Sequence, residues 1–61
     1  MVNLKKIRLE KGMTQEQLAN LIGVVRTTIS NIECGLTLPS VQTAKLIGEA
    51  LNINWVEFFS E

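Results

Sequence analysis

The sequence contains no histidine and no tyrosine, one cysteine (Cys34) and one proline (Pro39). A lone cysteine excludes an intramolecular disulfide, and without histidine too few soft ligands remain for a zinc site. Metal chemistry is not expected, no cofactor motif is present, and no small-molecule ligand is implied. Aromatics are scarce, one tryptophan and two phenylalanines. No apolar run is long enough to span a bilayer. The first residues, MVNLKKIRLE, carry charges throughout and lack the apolar stretch and cleavage site of a secretory signal, so the cytoplasm is the expected compartment. An excess of positive charge is also missing: six Lys and Arg balance six Asp and Glu. That balance weighs against a strongly electrostatic nucleic-acid binder. An enzyme has almost no support either, since the usual acid–base and nucleophilic groups are absent and no carboxylate pair has an evident pocket.

What is present is apolar and helical in period. Apolar residues make up 46% of the 61 residues, which excludes disorder, and the length predicts a single domain spanning 1–61. A chain of this size buries only about 60% of its unfolded surface, so association with a partner is an expectation from the start. Apolar residues recur at helical rather than two-residue spacing and the breakers fall between segments, which predicts five short helices and no sheet. Asn3 caps a first helix over about 3–11, in which Leu4, Ile7 and Arg8 share a face, with Gly12 as its stop. Thr14 and Gln17 form a capping box for a second helix at 15–22, ended by Gly23. A third runs over about 25–34 with Val25, Ile29 and Ile32 inward and Gly35 after it. Ser40 caps a fourth that ends near Asn52, and Asn54 with Glu57 is read as a second capping box, opening a short last helix.

The second and third helices are joined by a very short turn containing Gly23, which fits a helix-turn-helix unit and an ordinary helical hairpin equally well. The stretch VVRTTISNIE adds a second feature. Successive steps of about 100° turn Thr27, Ser30, Asn31 and Cys34 outward, with Arg26 at one shoulder. Thr, Ser and Asn weaken a helix relative to Lys and Glu, so hydration alone does not explain them. Short hydroxyl and amide side chains let a helix approach a polar surface closely and match the donors and acceptors on base edges; a solvated face poor in charge is the plain alternative.

The ordered set MTQEQLANLIGVVRTTISNIECG, then LPS, then ALNINWVEFF resembles the phage repressor and Cro-like (XRE) family of helix-turn-helix regulators, from about Leu4 to Phe59. The resemblance implies an all-α, five-helix, lambda-repressor-like DNA-binding domain with its helix-turn-helix motif at about 14–34. It further implies transcriptional control, usually by a homodimer on a palindromic operator in double-stranded DNA. On this resemblance Val25, Arg26, Thr27 and Asn31 face bases, while Thr14, Gln15, Thr28 and Ser30 reach phosphate or sugar. The helix-start position of Gln15 also favours an anion physically. Arg8 and Glu33 match a family ion pair and are expected to be structural. Val25 departs from the family, which often has Ser there. It either leaves the third helix without a side-chain cap, with Val24 stapling against Ile29, or touches a thymine methyl. Ile53 and Trp55 match the dimer contact; folding of Trp55 into the core is the other reading. Lys5, Lys6, Lys11 and Lys45 lie where phosphates are reachable or are simply solvated, and Cys34 has no assigned role.

The leading function is therefore a sequence-specific DNA-binding regulator, most simply a repressor or autoregulator without a ligand-sensing domain in cis. The competing function is a protein-interaction module on the same scaffold, antitoxin-like or accessory, which the zero net charge supports. No membrane association is expected for either.

Overall fold

A computed structural model describes residues 2–60, so the two extreme residues of the expected 1–61 domain lie outside the described residues. Four α-helices, α1 (Leu4–Glu10), α2 (Gln15–Ile22), α3 (Arg26–Glu33) and α4 (Val41–Leu51), are followed by a 3-10 helix, Trp55–Phe59. There is no strand among the described residues.

Helix starts follow the caps. The Asn3 side chain accepts from the Lys6 N–H at 3.1 Å. Thr14 accepts from Gln17 N–H at 3.0 Å while Gln17 Oε1 accepts from Thr14 N–H at 2.8 Å, a complete reciprocal box. Ser40 accepts from Thr43 N–H at 3.1 Å. Each bond satisfies a donor that the first helical turn leaves without an intrahelical partner. At Asn54 the expected box does not form. Its side chain accepts from Val56 N–H at 3.2 Å, and the segment winds as a 3-10 helix where a fifth α-helix is expected. Five residues offer few i→i+4 bonds, so the tighter i→i+3 winding competes well.

The core is one cluster drawn from every element: Leu4, Leu18, Ala19, Ile22, Ile29, Ala44, Ile47, Leu51 and Phe58. The best-packed pair of elements is α2 with α3. Their connection, residues 23–25, is short because Gly23 adopts a left-handed φ of 80° and its N–H still reaches the Ala19 carbonyl at 2.9 Å. Val24 N–H bonds that same carbonyl at 2.9 Å, which reverses the chain within one turn. Val24 packs against the core, in keeping with a staple beneath the first turn of α3.

One side chain in this turn departs from the sequence reading. Val25 does not point inward but is 68% exposed. It is the N-cap of α3, with extended backbone (φ −80°, ψ 152°), so a helical projection that starts at residue 25 misplaces its side chain. The cap makes no side-chain hydrogen bond, and Val25→Ser is expected to raise stability by about 1 kcal/mol, read from the shift of a urea midpoint. Gly48, inside α4, is buried where the chain folds back after that helix. A Cβ there would lie 2.8 Å from the Ile53 carbonyl oxygen and 3.1 Å from Trp55 Cβ, so only glycine lets the last segment dock this closely.

Candidate nucleic-acid interface

The third helix presents a clear division of faces. Ile29 is its one fully buried side chain, and 100° steps put Thr27 and Asn31 on the side opposite it. Thr27 is exposed; Thr28, Ser30 and Asn31 are half-buried; Arg26 is exposed at the first turn. Among the described residues, the side chains of Thr27, Thr28, Ser30 and Asn31 make no hydrogen bond within the chain. Their hydroxyls and amide are thus left available to an external partner. The Cys34 thiol is directed back to the Asn31 carbonyl at 3.8 Å.

Beside this face lies the start of α2. Gln15 is half-buried, and its Oε1 accepts from Arg26 Nη1 at 3.2 Å. Gln15 and Arg26 each occupy the first position of their helix, so the short turn brings two helix starts together. Thr14 is exposed with its hydroxyl oxygen engaged in the capping box. The α2 N-terminus, with its unpaired N–H groups and positive dipole end, adjoins this cluster and suits an anion.

Arg8 and Glu33 form the expected ion pair. Arg8 Nε donates to Glu33 Oε2 at 2.6 Å and Nη2 to Oε1 at 3.1 Å, both side chains being almost entirely shielded. Arg8 Nη1 also donates to the Met13 carbonyl at 2.6 Å, tying α1 to the approach to α2. Burial opposes ionisation of Glu33. Hydrogen bonds from Arg8 and Gln15 and the charges of Arg8 and Lys5 outweigh it, holding the carboxyl below its ordinary range. The hydrogen bond to Glu33 likewise raises the Arg8 guanidinium above its ordinary value, against the opposing effect of burial.

The ion pair, structural by family resemblance, is joined to the polar face in the structure. Gln15 Nε2 donates to Glu33 Oε1 at 3.1 Å, so Arg8, Glu33, Gln15 and Arg26 form one hydrogen-bonded chain. The contact spans 18 positions in sequence and no local pattern signals it. The apolar side chains Leu36, Leu38 and Val41 stand exposed around the loop before α4, and the spacing of LTLPSV is the one sign of them in the sequence.

Ile53 and Trp55 are half-buried and pack on the edge of the core. Trp55 meets Phe59 edge-on at 6.2 Å between centroids, and Lys45 Nζ lies 5.2 Å from the centre of its ring. Of the two phenylalanines, Phe58 is buried and Phe59 is 41% exposed. Trp55 therefore neither enters the core fully nor stands free of it. Among the described residues no group of three His, Cys, Asp or Glu side chains is placed to hold a metal. Among the same residues no helix is long and apolar enough to cross a membrane.

Comparison with known proteins agrees with this geometry. A family model described as helix-turn-helix matches residues 4–58. The chain is 47% identical over 58 residues to an uncharacterized HTH-type transcriptional regulator, YqaF, of Bacillus subtilis (strain 168), covering 95% of this chain and 76% of that protein. An uncharacterized HTH-type transcriptional regulator of Methanothermobacter thermautotrophicus is 41% identical over 54 residues, covering 88% of this chain and 78% of its own length. The ImmF control region 10 kDa protein of Bacillus phage phi105 is 37% identical over 51 residues, covering 84% of this chain and 57% of the phage protein. Taken with two helices joined by a tight turn and a polar outer face on the second, these matches show that the chain belongs to the XRE-type helix-turn-helix family of DNA-binding transcriptional regulators.

Proposed function

We propose that residues 1–61 act as one DNA-reading unit that binds a palindromic operator as a homodimer in the cytoplasm and represses transcription, with α3 in the major groove. The supporting observation is the 3.2 Å bond between Gln15 and Arg26, which sets an anion-binding helix start beside an exposed guanidinium. In this reading the Gln15 amide, the adjoining Thr14 and the flanking Thr28 and Ser30 contact phosphate or sugar. Arg26, Thr27 and Asn31 read base edges, and the exposed Val25 lies against a thymine methyl. Thr27 and Asn31 stand across the helix from Ile29, so burying one side aims the other outward.

Ile53 and Trp55 form the dimer contact, with the 3-10 segment standing where the fifth helix of this architecture lies. The partly exposed apolar edge of Trp55, Val56 and Phe59 supports an association surface. A two-fold dimer sets its recognition helices about 34 Å apart, one turn of DNA, and doubles the phosphate contacts of an electrically neutral chain.

Selection from a random duplex library tests this reading. The expected product is a two-fold symmetric site, and Arg26→Ala is expected to cost about 1–3 kcal/mol at one base pair per half-site while leaving preferences elsewhere intact. Equal weakening on every sequence would make Arg26 a phosphate contact. Few cations line the face, so the salt dependence should be shallow, with a slope of about −0.9 per phosphate neutralised. A protein-interaction module is the second reading, favoured by the zero net charge and by exposed Leu36, Leu38 and Val41. Absence of any DNA binding at low salt would select it.

A further inference from the structure

Glu33 ends the recognition helix on its inner side, yet one of its oxygens is bonded toward the outer face. Oε1 is shared by Arg8 Nη2 and Gln15 Nε2, each at 3.1 Å, while Oε2 takes Arg8 Nε at 2.6 Å. The two-pronged grip of a buried guanidinium leaves this carboxylate little freedom. We propose that Glu33 is a positioning residue for base readout, fixing the amide of Gln15 and through it the guanidinium of Arg26. The inference rests on the DNA-reading role proposed for Arg26.

The physical basis is the polarity of the Gln15 amide, which lies between two opposite charges. Its Nε2 faces the Glu33 carboxylate and its Oε1 faces the Arg26 guanidinium. Reversing the amide would set its oxygen against a carboxylate oxygen and its NH2 against a cation, so both contacts would turn repulsive. The charged neighbours thus select one of the two amide orientations. Two consequences follow for DNA. One Nε2 proton of Gln15 is taken by Glu33 and the other remains for a phosphate. Arg26 is held at Nη1 only, which leaves its Nε and Nη2 donors unused and restricts its rotamers before DNA arrives, lowering the ordering cost of binding. A neutral amide does this without cancelling the arginine charge, as a carboxylate at position 15 would.

Gln15→Met keeps the length of the side chain and removes both bonds, leaving the Arg8–Glu33 pair in place. Glu33→Gln acts one step earlier. In the free protein, the NMR order parameter of the Arg26 side-chain N–H is expected to fall in both variants. On duplexes from the library selection, the relevant quantity is the discrimination ratio at the base pair whose preference Arg26→Ala erases. Each variant should lower that ratio about three- to fivefold, and the double variant by no more than the larger single effect. If Glu33→Gln does not fold, Arg8→Met/Glu33→Leu, which replaces the pair by apolar side chains, takes its place in the comparison. Were Glu33 only to stabilise the fold, its replacement would lower the melting temperature and weaken binding to all sequences in proportion, leaving the ratio unchanged; that result, or additive losses, overturns the inference. Wild-type protein that binds DNA with no base preference would overturn the DNA-reading role itself and this inference with it, whereas base-specific binding with an unchanged ratio overturns the inference alone.

Discussion

Glu33→Ala is expected to lower the unfolding free energy by about 3–5 kcal/mol, and Arg8→Met by a similar amount. Either substitution leaves a charge that the fold shields almost completely without its partner. Arg8→Met also loses the bond to the Met13 carbonyl, which holds the approach to α2. At about 0.05–0.15 kcal/mol per residue, a domain of this size has roughly 3–9 kcal/mol in total, so either loss removes from about a third to the whole of it. Thermal melting should show a drop of about 12–40 °C. Replacing both residues together, Arg8→Met/Glu33→Leu, should recover most of the loss, because the cost lies in the orphaned charge more than in the missing attraction.

The same pair sets a pH dependence whose sign is fixed by the direction of its shifts. Glu33 has a folded pKa below its ordinary value of 4.5, so its contribution is fully present above that value and disappears as pH falls through the folded one. Arg8 is shifted upward and remains charged throughout the accessible range. Stability should therefore be flat in this respect near neutrality and decline below about pH 4.5, and that part of the acid decline should be missing from Arg8→Met/Glu33→Leu.

Ile29→Ala is the second large effect, about 2–5 kcal/mol in urea denaturation, with an unchanged slope and a lower midpoint. Ile29 is completely buried and is the only such side chain in α3, so it is that helix's main apolar anchor, with Ile32 packed beside it and the Glu33–Arg8 pair at its end. Ile29→Val, which deletes one methylene, should cost only about 0.5–1.5 kcal/mol and retain DNA binding. The polar side chains of α3 that face outward add little to its stability.

How far the sequence reveals this molecule depends on the range of the interaction involved. Caps act over three residues, so Asn3, Thr14 with Gln17, and Ser40 locate three helix starts correctly. The same rule applied to Asn54 and Glu57 predicts an α-helix where the chain is too short to sustain one and winds as a 3-10 helix. Val25 faces outward because α3 begins one residue later, and a helical projection started at 25 takes in an extended cap. Gly48 has no local signal at all, since its requirement comes from the returning backbone at Ile53 and Trp55. The ion pair came from family resemblance. Its bond to Gln15 did not, because that contact depends on how α2 meets α3 and not on any spacing within either.

The placement of α3 against base pairs is read most directly by titrating isotope-labelled protein with a library-selected duplex and following each backbone and side-chain amide. Insertion of α3 into the major groove predicts the largest shifts at Thr14, Gln15 and residues 25–31, including the Asn31 side chain. Shifts confined to residues 36–41 or 53–59, with Thr27 and Asn31 unmoved, would contradict it.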